Sequence, residues 1–145
     1  MATVKNLLET KGTQVWTIAP DETVLAALEA MAEHHLGALV VMEAGKVAGI
    51  FSERDYARKS VGLADFSLNT PVRDLMSHPV YYVSPDQSVD ECMTVMTAKH
   101  FRHLPVMENE QLVGIISIGD VVKQVITERE IEIKNLENFL WVNMI

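Results

Sequence analysis

The chain has 145 residues, of which 48% are hydrophobic, and its formal net charge is −8 at pH 7. This length fits one compact unit or two halves that share a core, and no apolar run approaches the roughly 18 residues that a membrane span needs. The negative charge argues against a nucleic-acid binder, which needs a basic surface. A single cysteine, Cys92, excludes an internal disulfide framework. With no basic and apolar signal sequence visible at the N-terminus, these features lead us to expect a cytoplasmic protein.

The first half of the chain predicts alternating helices and strands. Val24, Leu28 and Met31 recur at helical spacing, and the polar turn Glu43-Ala44-Gly45 separates two apolar runs as in a hairpin. The predicted elements are a short helix over 4–8, a strand over 15–18, a helix over 23–35, strands over 38–42 and 46–51, and a helix over 52–60.

The second half predicts the same series of elements. Its members are a strand over 80–83, a helix over 89–100, strands over 104–107 and 112–116, and a helix that begins at Ser117. The hairpin strands of both halves are continuous apolar runs and do not alternate with polar residues. Such runs predict sheets that are buried on both faces.

The two halves are an internal repeat. Residues 20–58 match residues 85–123 at a constant offset of 65, and the short helix at 4–8 matches 72–76 at an offset of 68. The first half therefore carries three extra residues within 9–14. Either this insertion has a function, or it is a loop insertion that the fold tolerates. Internal repeats dictate architecture, so we predict one repeat over 1–62, a linker over 63–70, a second repeat over 71–126 and a helical extension over 127–145.

The C-terminal extension continues the last helix well past the length of its counterpart. Five residues at alternating steps of three and four form a seam typical of a packed helix pair, namely Ile126, Arg129, Ile133, Leu136 and Leu140. Phe139 and Trp141 beside the seam add apolar area that a monomer would struggle to hide. The seam predicts a homodimer.

The repeated segment Gly-apolar-apolar-Ser-x-x-Asp is the strongest local signal, at Gly49 to Asp55 and at Gly114 to Asp120. It lies where a strand passes into a helix, so the serine and the aspartate can form a capping box. The same residues can also bind a nucleotide, because a helix N-terminus attracts anions and a carboxylate accepts hydrogen bonds from a ribose. The residues alone leave both interpretations open.

From about Val4 to Val125 the chain resembles a tandem pair of cystathionine-β-synthase (CBS) domains, the arrangement called a Bateman module. The resemblance rests on the order, spacing and duplication of four segments, at 20–24, 49–55, 102–106 and 114–120. It implies an α/β (α+β) fold of two β-α-β-β-α repeats packed about a pseudo-twofold axis, here with an extended C-terminal helix. It also implies adenosyl ligands, with AMP, ADP or ATP first and NAD(H) or S-adenosylmethionine as alternatives.

The resemblance implies two clefts, each built from both halves. The first takes Lys11, Gly12, Thr13, Val15, Trp16, Leu36, Gly37, Ala38, Arg102, His103, Ile115, Ser117, Gly119 and Asp120. The second takes Ile50, Ser52, Arg54, Asp55, Val80, Tyr81 and Phe101. Because the repeat places Gly37-Ala38 opposite Arg102-His103, the cationic pair is expected in the first cleft only. We therefore expect the Asp120 cleft to bind phosphates better.

The sequence favours a regulatory nucleotide-binding module over two alternatives. The module would be a homodimer without catalytic or metal-binding residues, and it would signal to an unknown effector protein. The first alternative is a dimeric assembly protein with vestigial clefts, in which both Ser-x-x-Asp pairs are only helix caps. The second is a nucleotide hydrolase, which lacks support because the chain has no phosphate-binding Gly-x-x-x-x-Gly-Lys loop, no paired catalytic carboxylates and no metal cluster.

Overall fold

A computed structural model describes residues 2–143, with side-chain surroundings as far as Leu136 and at Asn138. The helices are α1 (Val4–Lys11), α2 (Val24–His34), α3 (Glu53–Lys59), α4 (Val89–Lys99) and α5 (Ile118–Asn143), with a 3-10 turn at Val72–Asp74. The strands are β1 (Thr17–Ile18), β2 (Ala38–Glu43), β3 (Lys46–Ser52), β4 (His103–Glu108) and β5 (Gln111–Ser117). The predicted α/β class and the tandem repeat are confirmed.

Each repeat contains one antiparallel hairpin at its centre. In the first, β2 pairs with β3 and β1 adds a parallel strand on the other side of β2, whereas β4 and β5 form a sheet of two strands. Both hairpins have a register shift at the same place, after Val41 and after Val106. Residues 38–41 of β2 are all buried, so the prediction of strands buried on both faces is confirmed for this strand.

The prediction of a strand over 80–83 is wrong. Only Val83 pairs there, in a single parallel bridge with Val106. In the first repeat the Val40 amide donates a hydrogen bond to the Trp16 carbonyl, but the residue equivalent to Val40 is Pro105. Proline has no N–H and cannot donate to a neighbouring strand, so the second repeat loses the bond that would extend this strand.

The two repeats exchange their leading segments. Residues Val4, Leu7 and Leu8 of α1 are buried in the core of the second repeat, with residues of α4, β4, β5 and α5. Val72 and Leu75 are buried in the core of the first repeat. Burial of apolar side chains is the main favourable term in folding, so each repeat depends on a segment of the other.

Two glycines at equivalent positions of the repeats leave room for the leading segments that cross over. A Cβ atom added at Gly114 would lie 2.8 Å from Leu8 Cδ2, and one added at Gly49 would lie 2.7 Å from Met76 Sδ. Leu8 and Met76 occupy equivalent positions in the two leading segments. The glycine of each Gly-apolar-apolar-Ser-x-x-Asp segment therefore gives room for the segment that crosses over from the other repeat.

The last helix, α5, has 26 residues, whereas its counterpart α3 has seven, so the predicted extension is confirmed. At a rise of about 1.5 Å per residue it is about 39 Å long. Ile126, Ile133 and Leu136 of the predicted seam are each more than half exposed. The side chains of Phe139, Leu140 and Trp141 lie outside the described residues. None of the helices described is long and apolar enough to cross a bilayer.

Candidate functional site

A cavity of about 730 Å³ lies between the two repeats, on the side where α3 begins. The first repeat contributes the start of α3 and the end of β3, and the second contributes the segment 77–81 and the turn from α4 into β4. The lining residues are Gly37, Ile50, Ser52, Glu53, Arg54, Asp55, Ala57, Arg58, Lys59, Ser77, Pro79, Val80, Tyr81, Lys99, His100, Phe101, Arg102, His103 and Leu104. All seven residues predicted for the second cleft line this cavity.

The cavity wall is rich in cationic side chains although the chain as a whole is acidic. Arg54, Arg58, Lys59, Lys99 and Arg102 line it, against two carboxylates, in a protein of net charge −8. Other parts of the wall are apolar or aromatic, and the rings of Tyr81 and Phe101 lie 5.1 Å apart. One space thus offers both a cationic surface for an anion and an apolar surface for a flat ring.

Asp55, which lines this cavity, is held by three hydrogen bonds and one ion pair. Its Oδ2 accepts hydrogen bonds from the Ser52 amide at 3.0 Å and the Ser52 hydroxyl at 2.9 Å. Its Oδ1 accepts one from the Ser77 hydroxyl at 2.7 Å and lies 3.3 Å from Lys59 Nζ. The Asp55 amide donates back to Ser52 Oγ, which completes the capping box of α3. The carboxylate is therefore fixed in position before any ligand arrives.

Asp120 occupies the equivalent position in the second repeat, and a lysine from α1 reaches it. Lys11 Nζ lies 2.5 Å from Asp120 Oδ2 and donates a hydrogen bond of 2.7 Å to the Ile115 carbonyl. The Ser117 amide also donates to Asp120 Oδ2, at 2.8 Å, and the Asp120 amide donates to Ser117 Oγ. The structure thus brings together Lys11, Ile115, Ser117 and Asp120, four of the residues predicted for the first cleft.

The pKa of Asp120 is lowered by its neighbours. Partial burial of the carboxyl acts in the opposite direction, but the hydrogen bonds from Lys11 and Ser117 and the charge of Lys11 outweigh it. The carboxylate is therefore ionised at neutral pH and paired with an ammonium group. Both side chains keep some solvent access, with 32% of Lys11 and 26% of Asp120 exposed.

His103 lies between the two aspartates. Burial lowers its pKa, the positive charges of Lys11 and Arg102 lower it further, and Asp120 and Asp55 oppose them. Arg102 and His103 both line the Asp55 cavity, so the expectation that the cationic pair belongs to the Asp120 cleft only is wrong. Arg102 directly precedes the strand β4 and His103 begins it. That strand lies between the two clefts.

The other residues predicted for the first cleft lie on several elements of the fold. Trp16 stacks on His34, with ring centroids 3.6 Å apart, and Gly37 lies under the His103 ring. Leu36 and Gly37 also line a second cavity of about 440 Å³ beside α2. Gly12, Thr13 and Val15 belong to the segment between α1 and β1, Ala38 begins β2, and Gly119 lies in the first turn of α5.

Several lining residues were missed by the sequence analysis. Arg58 and Lys59 stand three and four residues after Asp55, which places them on the same face of α3, and this spacing could have identified them. Ser77 and Lys99 had no comparable signal. They reach the cavity because the segment after Met76 pairs with Ile50 and because α4 ends at the cavity, and both facts depend on how the repeats pack.

The structure gives no support to two other kinds of site. Burial raises the pKa of the Cys92 thiol to about 11, so this group is not a nucleophile near neutral pH. Within the described part of the chain, no three His, Cys, Asp or Glu side chains lie close enough together to hold a metal ion.

Comparison with known proteins explains the repeat and the shared cavity. The family profile of the CBS domain matches residues 4–62 and again residues 72–127. The chain belongs to the CBS-domain family. Its relatives include the mitochondrial CBS domain-containing protein CBSX3 of Arabidopsis thaliana, which is 34% identical over 148 residues, with 95% of this chain and 71% of the relative covered.

Solved structures of CBS proteins share the fold. The CBS-domain containing protein ATU1752 of Agrobacterium tumefaciens superposes with a TM-score of 0.81 at 43% identity, over 85% of this chain and 98% of that one. The CBS domain pair of MJ0100, solved with 5′-methylthioadenosine and S-adenosyl-L-methionine, gives a TM-score of 0.77 at 20% identity, over 88% and 98%. At that identity the second likeness shows the fold alone.

Proposed function

We propose that this CBS-domain protein is a regulatory module that binds adenosyl nucleotides and passes their occupancy to a partner protein. The observation that carries the proposal is the cavity at Asp55, which concentrates five cationic side chains in an acidic chain and has walls from both repeats. A volume of about 730 Å³ lies within the usual range for sites that hold a small organic ligand.

Different parts of the cavity wall suit the base, the ribose and the phosphates of a nucleotide. The apolar wall around Ile50, Val80 and Tyr81 suits a purine ring, and the fixed carboxylate of Asp55 suits the hydroxyls of a ribose. Arg54 and Arg102 suit the phosphates, because guanidinium groups bind phosphate oxygens with paired hydrogen bonds. Arg54 already spans the two repeats, with Nη1 3.5 Å from the His100 carbonyl.

We propose AMP, ADP or ATP as the ligand, with NAD(H) or S-adenosylmethionine as the alternatives. The complex of the CBS pair of MJ0100 with two adenosyl compounds supports this class of ligand. The cationic residues around Asp55 make this cavity the primary phosphate site. This reverses the ranking expected from the sequence, and the Asp120 cleft is the second site.

The regulatory role follows from where the cavity lies. A ligand that contacts both repeats shifts an equilibrium between two arrangements only by its differential affinity for them. The chain would act as a cytoplasmic homodimer, through its CBS faces and α5, and would signal to a separate effector without turning over the nucleotide. Recovery of intact ATP after incubation with the protein is the check on the last point.

The test is thermal unfolding against AMP, ADP, ATP, NAD, NADH, S-adenosylmethionine and GTP. A ligand present at 100 times its dissociation constant stabilises the folded protein by about 2.7 kcal/mol, which is a shift of several degrees for a chain of this size. We expect a shift with at least one adenosyl ligand and none with GTP. The absence of a shift with every ligand would refute the proposal.

One observation favours the second candidate, a dimeric assembly protein with vestigial clefts. Ser52 with Asp55 and Ser117 with Asp120 each form a complete capping box, so both aspartates have a structural role without any ligand. The exposed apolar face of α5 would then be the working surface. A chain that binds no nucleotide yet dimerises through α5 would establish this alternative.

A further inference from the structure

The two clefts differ in what occupies them when no ligand is present. In the Asp120 cleft, the ammonium group of Lys11 contacts two acceptors, the Asp120 carboxylate and the Ile115 carbonyl. These are a carboxylate suited to ribose hydroxyls and a backbone acceptor suited to the amino group of adenine. Lys11 therefore supplies the two hydrogen bonds that an adenosine moiety would otherwise supply.

Among the described residues, no lysine of the second repeat pairs with Asp55, although Lys99 lines the cavity. Lys11 lies within the segment 9–14, which stands opposite the shorter Ser77-His78-Pro79 in the second repeat, and that shorter segment has no lysine. The carbonyl that matches Ile115 is Ile50, which accepts a hydrogen bond from the Ser77 amide at 2.8 Å. The ammonium group near Asp55 belongs to Lys59, four residues further along α3. It contacts Oδ1 from within its own helix, and it also donates hydrogen bonds to the Met76 carbonyl at 3.2 Å and to the Ser77 hydroxyl at 3.1 Å in the second repeat.

We propose that Lys11 makes the Asp120 cleft selective for adenosyl ligands that carry a phosphate. The inference rests on the proposed function, since it assumes that adenosyl compounds bind at Asp120. An uncharged nucleoside must displace Lys11 from a carboxylate and leaves the ammonium group without an anionic partner. A nucleotide displaces it too, but its phosphate offers a new partner to the freed lysine. At Asp55, a displaced Lys59 keeps the Met76 carbonyl and the Ser77 hydroxyl as acceptors, so that cavity discriminates less between the two.

The experiment compares AMP with adenosine by isothermal titration calorimetry. Asp55→Ala removes the competing cavity, and in that background Lys11→Gln is compared with Lys5→Gln. Lys5 is an exposed lysine on the same helix, so its substitution removes the same charge without touching the cleft. Thermal unfolding of each variant without ligand establishes that all of them are folded.

We expect Lys11→Gln to lower the affinity ratio of AMP to adenosine by about tenfold, the effect of one charged hydrogen bond of about 1.4 kcal/mol. Adenosine should bind more tightly as AMP binds more weakly, and Lys5→Gln should leave the ratio unchanged. An unchanged ratio in Lys11→Gln, or equal weakening of both ligands, would overturn the inference. So would loss of all binding in the Asp55→Ala background while the unaltered chain binds AMP, which leaves the proposed function standing. A failure of the unaltered chain to bind any adenosyl ligand would overturn both.

Discussion

At the scale of single residues, the pKa of His103 responds to charges on both sides, those near Asp55 and those near Asp120. Its pKa is lowered from 6.5 by burial and by Lys11 and Arg102 against the opposing Asp120 and Asp55, so the ring is neutral at pH 7. The stability that the neutral ring contributes is present above pH 6.5 and is lost as the pH falls through its lowered pKa. A bound phosphate adds negative charge nearby and raises this pKa.

Nucleotide binding should therefore be linked to proton uptake. We predict that the affinity for AMP rises about two- to fivefold as the pH falls from 8 to 6. A shift of one unit in the pKa of His103 can change the affinity by at most about tenfold, and the predicted change lies within that limit. His103→Asn should flatten this dependence, since the amide does not titrate. Calorimetry in two buffers of different ionisation enthalpy measures the uptake directly. Equal pH slopes in the two proteins would assign the dependence to another group.

How much of the site could be read from the sequence also differs residue by residue. The duplicated Ser-x-x-Asp segments identified Asp55 and Asp120, because a repeat of fixed spacing survives any change in packing. The contact of Lys11 with Asp120 joins residues 109 positions apart, and its place in the asymmetric insertion was the only hint. The presence of His103 on the Asp55 side depends on the packing of β4 between the clefts, which no local pattern encodes.

At the scale of elements, one difference between the repeats, Val40 in the first and Pro105 in the second, decides whether a further strand pairs with the hairpin. The sequence predicted equal first strands in the two repeats, but Pro105 removes a donor from β4 and leaves residues 80–82 unpaired in the second. The other strands and helices begin and end close to their predicted limits, because apolar periodicity and the caps at Thr23, Ser52 and Ser88 are local signals.

The leading segments that cross between repeats give a matched pair of variants. A Cβ at Gly49 would lie 2.9 Å from the Ser77 backbone oxygen as well as close to Met76, whereas the three atoms nearest to a Cβ at Gly114 all belong to the Leu8 side chain. A backbone atom cannot move aside as a side-chain tip can. We predict that Gly49→Ala lowers the free energy of unfolding by about 1–3 kcal/mol and Gly114→Ala by less.

Urea denaturation of both variants measures this difference. The gain from restricting the unfolded chain is the same for both Gly→Ala changes, so it cancels in the comparison. A cost for Gly114→Ala equal to or above that for Gly49→Ala would show that the close approach of Ser77 does not constrain the fold.

At the scale of the whole molecule, the exchange of leading segments makes the two repeats one folding unit, and α5 extends beyond it. The exposed Ile126, Ile133 and Leu136 need a covering surface. We predict that a second copy provides it. Leu136→Glu should convert the dimer to a monomer at micromolar concentration by placing a charge in the seam, while Asn138→Glu on the same helix should leave it dimeric. Multi-angle light scattering distinguishes the two states, and a monomeric unaltered chain would contradict the prediction.

Calorimetric titration of AMP into Asp55→Ala and Asp120→Ala decides whether the Asp55 cavity is the primary nucleotide site. The two substitutions remove equivalent residues of equivalent capping boxes, and thermal unfolding of each variant without ligand measures the structural cost that comes from their different partners. We predict that Asp55→Ala removes the tighter binding event, because a hydrogen bond to a charged group contributes about 1.5–3 kcal/mol, and that Asp120→Ala retains it. Tight binding that survives in Asp55→Ala and disappears in Asp120→Ala would show that the Asp120 cleft, and not the Asp55 cavity, is the primary nucleotide site.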